Sequence, residues 1–458
     1  MNWRLFFNSL AISGLTALLA GAVGFAVALA LACAEAPWLR RLLVGAVVAV
    51  ALPPFLITNT WLDLLGPGGV LHRWVPLKLY GPGGVIWLLT LWTWPITTLL
   101  ALGSWSRLEP AQLEADPALR GPALVRWLLW PMARTAVRLA LLITFALVLN
   151  HFSVPVILQV PVFPEELWLA FTTRLEDAGA WAAAWPTIAV PLAVLLLLRQ
   201  SEITWPRTQG TATATVLRRQ VGRGIVRTCA GVATVLYLVS LAVPFTQLVA
   251  SARTWMELPT FLRASPDVVW NSFAGAAAAA TMGVAIGFVS WRLPLAVVSW
   301  LPFLVPGVLL GRAAIALFNG TVLYPKAGLV VVLLAFRYLA IGWNGVSFAM
   351  RSVDRDLADM AALSGARGWT RLRHVQWPQI GPQVAAAWYV TYLLCLWDVE
   401  TLVLIQPPGG ETLALRIFNM LHYGHHAQVN AACVALLALA LAPLVLWQVA
   451  GGGRTGRL

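Results

Sequence analysis

The chain has 458 residues, of which 60% are hydrophobic and 11% charged, with a net charge of +13 and a mean hydropathy of +0.78. That balance excludes the soluble globular classes, because a water-exposed surface needs more polar cover than this sequence holds. The basic charge does not imply nucleic acid: the arginines fall in loops between apolar stretches, the pattern of the positive-inside bias.

A spanning helix needs about 20 mainly apolar residues. Eleven such stretches follow one another, near 7–33, 42–62, 84–103, 137–159, 180–199, 229–251, 268–291, 296–318, 326–348, 383–405 and 430–449. Lipid satisfies no unpaired backbone group, so the predicted fold is an all-α polytopic membrane protein of about eleven transmembrane helices. The first stretch has no A-x-A cleavage site after it and reads as a retained span rather than a signal peptide. The cysteines (Cys33, Cys229, Cys395 and Cys433) lie in or beside spans without a C-x-x-C pair, and read as small apolar residues.

Landmarks recur along the chain in the same order. Asn8-Ser9-Leu10 and Asn271-Ser272-Phe273 each open a Gly/Ala-rich span. Leu52-Pro53-Pro54-Phe55-Leu56 is echoed by Leu301-Pro302-Phe303-Leu304-Val305-Pro306-Gly307, and Tyr80-Gly81-Pro82 by Tyr324-Pro325. Each half then has a polar loop ending in Trp-Pro, at Trp130-Pro131 and Trp377-Pro378. The expected organisation is a parallel internal duplication. Residues 1–199 form a first repeat lacking an opening helix, and 229–458 form a second. Between them, 200–228 is polar, Thr/Arg-rich and without a clear period, which predicts a linker.

Two polar loops stand out. In the second, Asp354, Asp356 and Asp359 precede or begin a short helix, where acidic groups favour the N-terminus. Gly365 is placed to end it with φ > 0. Arg367, Arg371 and Arg373 then start a second helix with Trp369, Leu372 and Val375 as its apolar face, and Pro378 marks re-entry into the membrane. This helix–Gly–helix elbow is a device for passing force between a soluble partner and the spans. The first loop, Glu114-Ala115-Asp116-Pro117-Ala118-Leu119-Arg120-Gly121, is a worn version in which Pro117 disfavours a continuous helix. If both loops face the cytoplasm, most arginines lie on that side, the N-terminus outside and the C-terminus inside. The basic face then also meets anionic lipid of the bilayer.

Asp359-x-Ala361-Ala362-x-x-Gly365 with Pro378 resembles the E-A-A loop of binding-protein-dependent ABC importer permeases. The fused two-copy iron(III)-type subfamily is the nearer likeness, through the Asn-Ser openings, Leu301–Gly307, and Pro407-Pro408-Gly409-Gly410-Glu411-Thr412-Leu413-Ala414-Leu415-Arg416 with His422-Tyr423-Gly424. The resemblance implies an inner-membrane subunit whose loops couple to a dimer of cytoplasmic ABC ATPase subunits. Asp359, Ala361, Ala362, Gly365 and Pro378 match the motif, with Asp in place of the usual Glu. Glu114, Ala115, Gly121 and Pro131 hold the corresponding places in the first loop. It also implies an extracytoplasmic solute-binding protein docking near 159–179 and 406–429, and iron(III) as the first candidate cargo, ahead of thiamine and phosphonates. No cofactor or metal is expected of the chain itself. It has no G-x-x-x-x-G-K-[ST] motif, so ATP hydrolysis is assigned to a separate subunit and the chain is not read as an enzyme.

Polar residues within the spans leave two readings open. Asn150 and His151, and Asp398 and Glu400, hold matching places in the two halves, either lining a pathway or lying wet at the interface. Arg337 either pairs with a carboxylate or snorkels. His422, His425 and His426 read as part of an outer contact loop more readily than as a metal site. The competing function is an ion-coupled secondary transporter with Asp398 and Glu400 as coupling carboxylates.

Overall fold

A computed structural model describes residues 2–69, 71–73, 78–105, 108, 110–114, 116, 119–174, 177–197, 211–324, 326–422 and 426–451. Every regular element among them is helical, so the chain is an all-α polytopic membrane protein. Among the described residues, six helices are long and apolar enough to cross a bilayer: Trp3–Ala32, Pro82–Trp105, Pro122–Asn150, Arg223–Ala250, Pro266–Ser290 and Gln428–Trp447. Three bent pairs raise the number to nine if each is counted as one span.

The count falls short of eleven for local reasons. Three expected straight spans are broken. Pro37–Ala51 and Pro54–Leu65 meet at 88°, Val298–Leu304 and Gly307–Phe318 at 103°, and Ala327–Arg337 and Leu339–Arg351 at 56°. The first two breaks sit at Pro53 and Pro306, each extended (φ −61°, ψ 135° and φ −53°, ψ 134°) and each starting the helix that follows it. A proline lacks the N–H that would continue the preceding helix, so a stop followed by a restart is its natural effect. Over 180–199 the helix is Asp177–Leu197, with Trp181–Ala193 as its apolar part among the described residues. The expected span 383–405 ends at Leu396, and 137–159 ends at Asn150.

The chain separates into two compact units, Met1–Pro266 with Arg416–Leu458, and Asp267–Leu415. In the first, Trp3–Ala32 packs on Pro82–Trp105, on Trp130–Asn150 and on Arg223–Tyr237. Close approach is possible because Gly24 lies where a Cβ would stand 2.6 Å from the Trp94 carbonyl oxygen. In the second, Leu339–Arg351 packs on Trp377–Leu396, and Val284, Val346, Ala349, Ile380 and Val384 form its core.

The Asn-Ser landmarks do the same work in each unit. The Ser9 hydroxyl accepts the Phe163 N–H at 2.8 Å, and the Ser272 hydroxyl accepts the Leu413 N–H at 2.7 Å. Phe163 and Leu413 are the first residues of helices, whose leading amides have no partner within their own helix. The neighbouring Asn8 and Asn271 amides donate to the Pro161 and Gly409 carbonyls at 2.8 and 2.9 Å. A borrowed serine thus caps a helix in each unit.

Candidate functional site

The second polar loop forms an ordered elbow. Asp354 accepts the Asp356 N–H at 2.9 Å and the Leu357 N–H at 3.5 Å, capping the helix Arg355–Leu363. At the other end, Ala366 N–H donates to the Ala361 carbonyl and Gly365 N–H to the Ala362 carbonyl. With Gly365 at φ +83°, this is a Schellman stop. An added Cβ at Gly365 meets nothing within 4 Å, so the glycine is required by backbone conformation alone.

The helix presents two faces. Ala358 and Ala361 are buried, whereas Leu357, Met360 and Leu363 form an exposed apolar row, Leu363 being 89% accessible. Asp359, Ala362 and Gly365 are also exposed. Three-residue spacing puts each set on one side of so short a helix. The elbow is tied to its support where Asp354 N–H donates to the Gln379 side chain at 2.9 Å and Ser352 donates to Gln383 at 3.1 Å. Both glutamines belong to the helix Trp377–Leu396, whose Ile380 and Val384 lie in the unit's core.

Pro378 falls within an unbroken run of helical elements. Gly368–Arg371, a π turn at Leu372–Gln376 and Trp377–Leu396 run in immediate succession. The Trp377 N–H reaches back five residues to the Leu372 carbonyl. A π turn widens the helix just where a proline ring would collide with the preceding turn. The first loop has the same device: Trp130 N–H bonds the Val125 carbonyl across the π turn Val125–Leu129, just before Pro131. Trp369, on the apolar face of this second helix, is 70% accessible.

The first loop is built differently. Among the described residues, the single turn Pro110–Glu114 precedes Gly121; Ala115 and Pro117 lie outside them. Glu114 and Pro131 are exposed, and Gly121 has φ +58°. The stretch expected to be an aperiodic linker supplies the helix Thr211–Val221, which lies on this loop. Gly121 N–H donates to the Gln220 carbonyl at 2.7 Å, and the Gln220 side-chain amide donates to the Leu113 carbonyl. Leu113, Ala214, Leu217 and Val221 are buried. The last three are spaced for one helix face, a signal present in the sequence but diluted by Thr and Arg.

The polar residues within the spans are not wet. Asn150, His151, Asp398 and Glu400 are all buried, as is Arg337. Arg337 Nη1 lies 3.2 Å from Asp398 Oδ2. The same carboxylate accepts the Tyr338 hydroxyl at 2.9 Å, the Thr401 hydroxyl at 2.8 Å and, on its other oxygen, the Thr401 N–H at 2.7 Å. Arg337 also donates to the Thr401 hydroxyl. Gly307 completes the enclosure, since a Cβ there would fall on the guanidinium and 2.8 Å from the Thr401 amide nitrogen. Arg337, Tyr338, Asp398 and Thr401 all sit at helix ends or breaks, so the network holds three interrupted segments together: Gly307–Phe318, the Arg337–Tyr338 break and the turn after Leu396. In the other unit, His151 lies against Trp92, ring centroids 5.6 Å apart. His425, beyond the helix that ends at His422, is outside the described residues.

The helical, membrane-crossing architecture defines a polytopic membrane protein. No family model matches the chain. Among curated proteins, it is 31% identical over 149 residues to a putative 2-aminoethylphosphonate transport system permease protein, PhnV, of Salmonella paratyphi A. The match covers 32% of this chain and 56% of that protein. It is 30% identical over 106 residues to the spermidine/putrescine transport system permease protein PotC of Escherichia coli K12, covering 23% of this chain and 40% of that one. The chain thus spans about half the length of these curated relatives. These relatives are permease components of transport systems.

Proposed function

We propose that the chain is the permease subunit of a binding-protein-dependent ABC importer in a bacterial inner membrane, forming the translocation pathway for a small solute. The observation that carries this reading is the elbow at 354–371. It is a rigidly stopped short helix with an exposed row of Leu357, Met360 and Leu363 beside Asp359, fastened through Gln379 and Gln383 to a long apolar helix. An apolar row left in water on an ordered helix is a docking face. Its partner is a cytoplasmic ATPase subunit, one of a dimer, and Asp359, Ala362, Gly365 and Pro378 belong to the contact region. Ala361 is buried and supports the helix from beneath.

The first loop, with Glu114, Ala115, Gly121 and Pro131, is the second coupling loop, and the helix Thr211–Val221 braces it. Two fused permease repeats, 1–199 and 229–458 joined through 200–228, account for the paired serine caps and for the paired π turns before Trp-Pro. Nucleotide binding by the ATPase biases an alternating-access equilibrium through these contacts, so the permease needs no catalytic group of its own.

The cargo reaches the chain from a binding protein at 159–179 and 406–429. Sequence resemblance favours iron(III), whereas the relatives named above carry the names of aminoethylphosphonate and polyamine systems. Calorimetry on the cognate binding protein separates these three. The secondary-transporter reading loses its best coupling group, because Asp398 is held by Arg337, Tyr338 and Thr401. Proteoliposome uptake tests the proposal. Uptake that requires ATP and a co-purified ATPase supports it; uptake by the chain alone on an ion gradient contradicts it.

A further inference from the structure

We propose that a cavity at the arginine-rich end of the helix Trp3–Ala32 binds one anionic glycerophospholipid, its acyl chain inside and its phosphate on Arg218. The cavity has a volume of about 620 Å³. Its wall is made mainly of small and aliphatic side chains, among them Ala30, Leu42, Ala230 and Ala233. Tyr237 completes the wall, and its hydroxyl is satisfied internally by donating to the Leu42 carbonyl at 2.6 Å. That leaves a largely apolar space many times larger than the ~30 Å³ share of one water.

The polar lining residues are the exposed ones. Arg218 and Glu35 form an ion pair at 3.3 Å with side chains 58% and 69% accessible, and the exposed Trp38 lies beside them under the Arg41 guanidinium. So exposed a pair is weak and exchanges readily for a stronger anion. Over 33–45 and 211–242 the sequence carries Arg40, Arg41, Arg218, Arg219, Arg223 and Arg227 against the single acid Glu35. An apolar chamber edged by surplus cations and an amphipathic tryptophan fits a phosphate head with a hydrocarbon tail. A neutral lipid would leave the cations unanswered, and a free phosphate would leave the chamber empty. The inference needs only the helical membrane fold and not the transport reading.

The test is native mass spectrometry of the full-length protein released from nanodiscs of equimolar phosphatidylglycerol and phosphatidylcholine. The wild type retains phosphatidylglycerol in preference to phosphatidylcholine. Arg218→Ala lowers that preference about fivefold, the effect of one cation near the headgroups. Ala230→Trp fills the chamber without altering charge and removes the retained lipid. Arg4→Ala, at the opposite end of the same helix, changes neither. Equal retention of the two lipids by the wild type overturns the proposal. So does undiminished phosphatidylglycerol retention in Ala230→Trp, which would mean a diffuse surface charge and no chamber site.

Discussion

Arg337 and Asp398 are 61 residues apart in sequence and form a buried ion pair at 3.2 Å. Tyr338 and Thr401 satisfy the carboxylate from both sides, and Gly307 makes room for the guanidinium. Removing two charges from water costs so much that a pair of this kind fixes an arrangement more than it adds net stability. Asp398→Asn should therefore destabilise the protein by about 3–5 kcal/mol, because the buried guanidinium loses its nearest counter-charge and keeps only the neighbouring buried Glu400. The double variant Arg337→Met/Asp398→Leu should lose less than the single one. Thermal unfolding in detergent distinguishes the two, and equal losses in the single and double variants would refute this account of the pair.

Gly307→Ala tests the same enclosure from the other side. Its Cβ has no space, so a loss of about 1–3 kcal/mol follows from overpacking. In the Arg337→Met/Asp398→Leu background the guanidinium is gone, and the same substitution should cost much less. Additive losses would show that the obstruction lies elsewhere.

Ser9 and Ser272 each cap a helix across the unit to which they belong. Ser9→Ala and Ser272→Ala should each cost about 1–3 kcal/mol, the penalty of a buried donor left unsatisfied. Hydrogen exchange at the Phe163 and Leu413 amides reads the effect directly. If only one amide loses protection, the two serines do not have equivalent roles.

Leu217→Ala should loosen the first loop. A buried leucine truncated to alanine costs about 2–5 kcal/mol, and Leu217 is the fully buried residue of the helix whose Gln220 holds the Leu113 carbonyl. Exchange should accelerate over 110–121 and 211–221 while 355–371 stays unchanged. Faster exchange in both loops, or in neither, would contradict a local brace.

What could be read from the sequence follows from how local each signal is. The apolar stretches announce themselves, and every one of the eleven contains helix. The stop at Gly365 is also local and appears at the expected residue, whereas the acidic cluster overlaps the helix start, which falls at Asp354 rather than at Asp359. The sharp bends were hidden because a broken apolar span has the composition of a straight one. Pro53 and Pro306 were visible, but proline inside a membrane helix is tolerated often enough that its presence does not fix a bend. The partner of Arg337 was hidden for another reason: its choice of carboxylate depends on contacts far apart in the chain. The helix Thr211–Val221 was missed because three apolar positions among threonines and arginines give a weak periodic signal.

Under the function proposed above, the exposed face of the helix Arg355–Leu363 meets a cytoplasmic ATPase. Site-specific cross-linking tests it most directly, with cysteine placed at exposed Ala362 and, as an internal control, at buried Ala361. The account predicts that Ala362→Cys captures a nucleotide-hydrolysing subunit in membranes while Ala361→Cys captures far less. It also predicts that charge reversal at Asp359, or Gly365→Pro, abolishes the capture and leaves membrane insertion intact. Labelling of Ala362→Cys from the external face of sealed cells, or capture of no ATPase from either position, would contradict it.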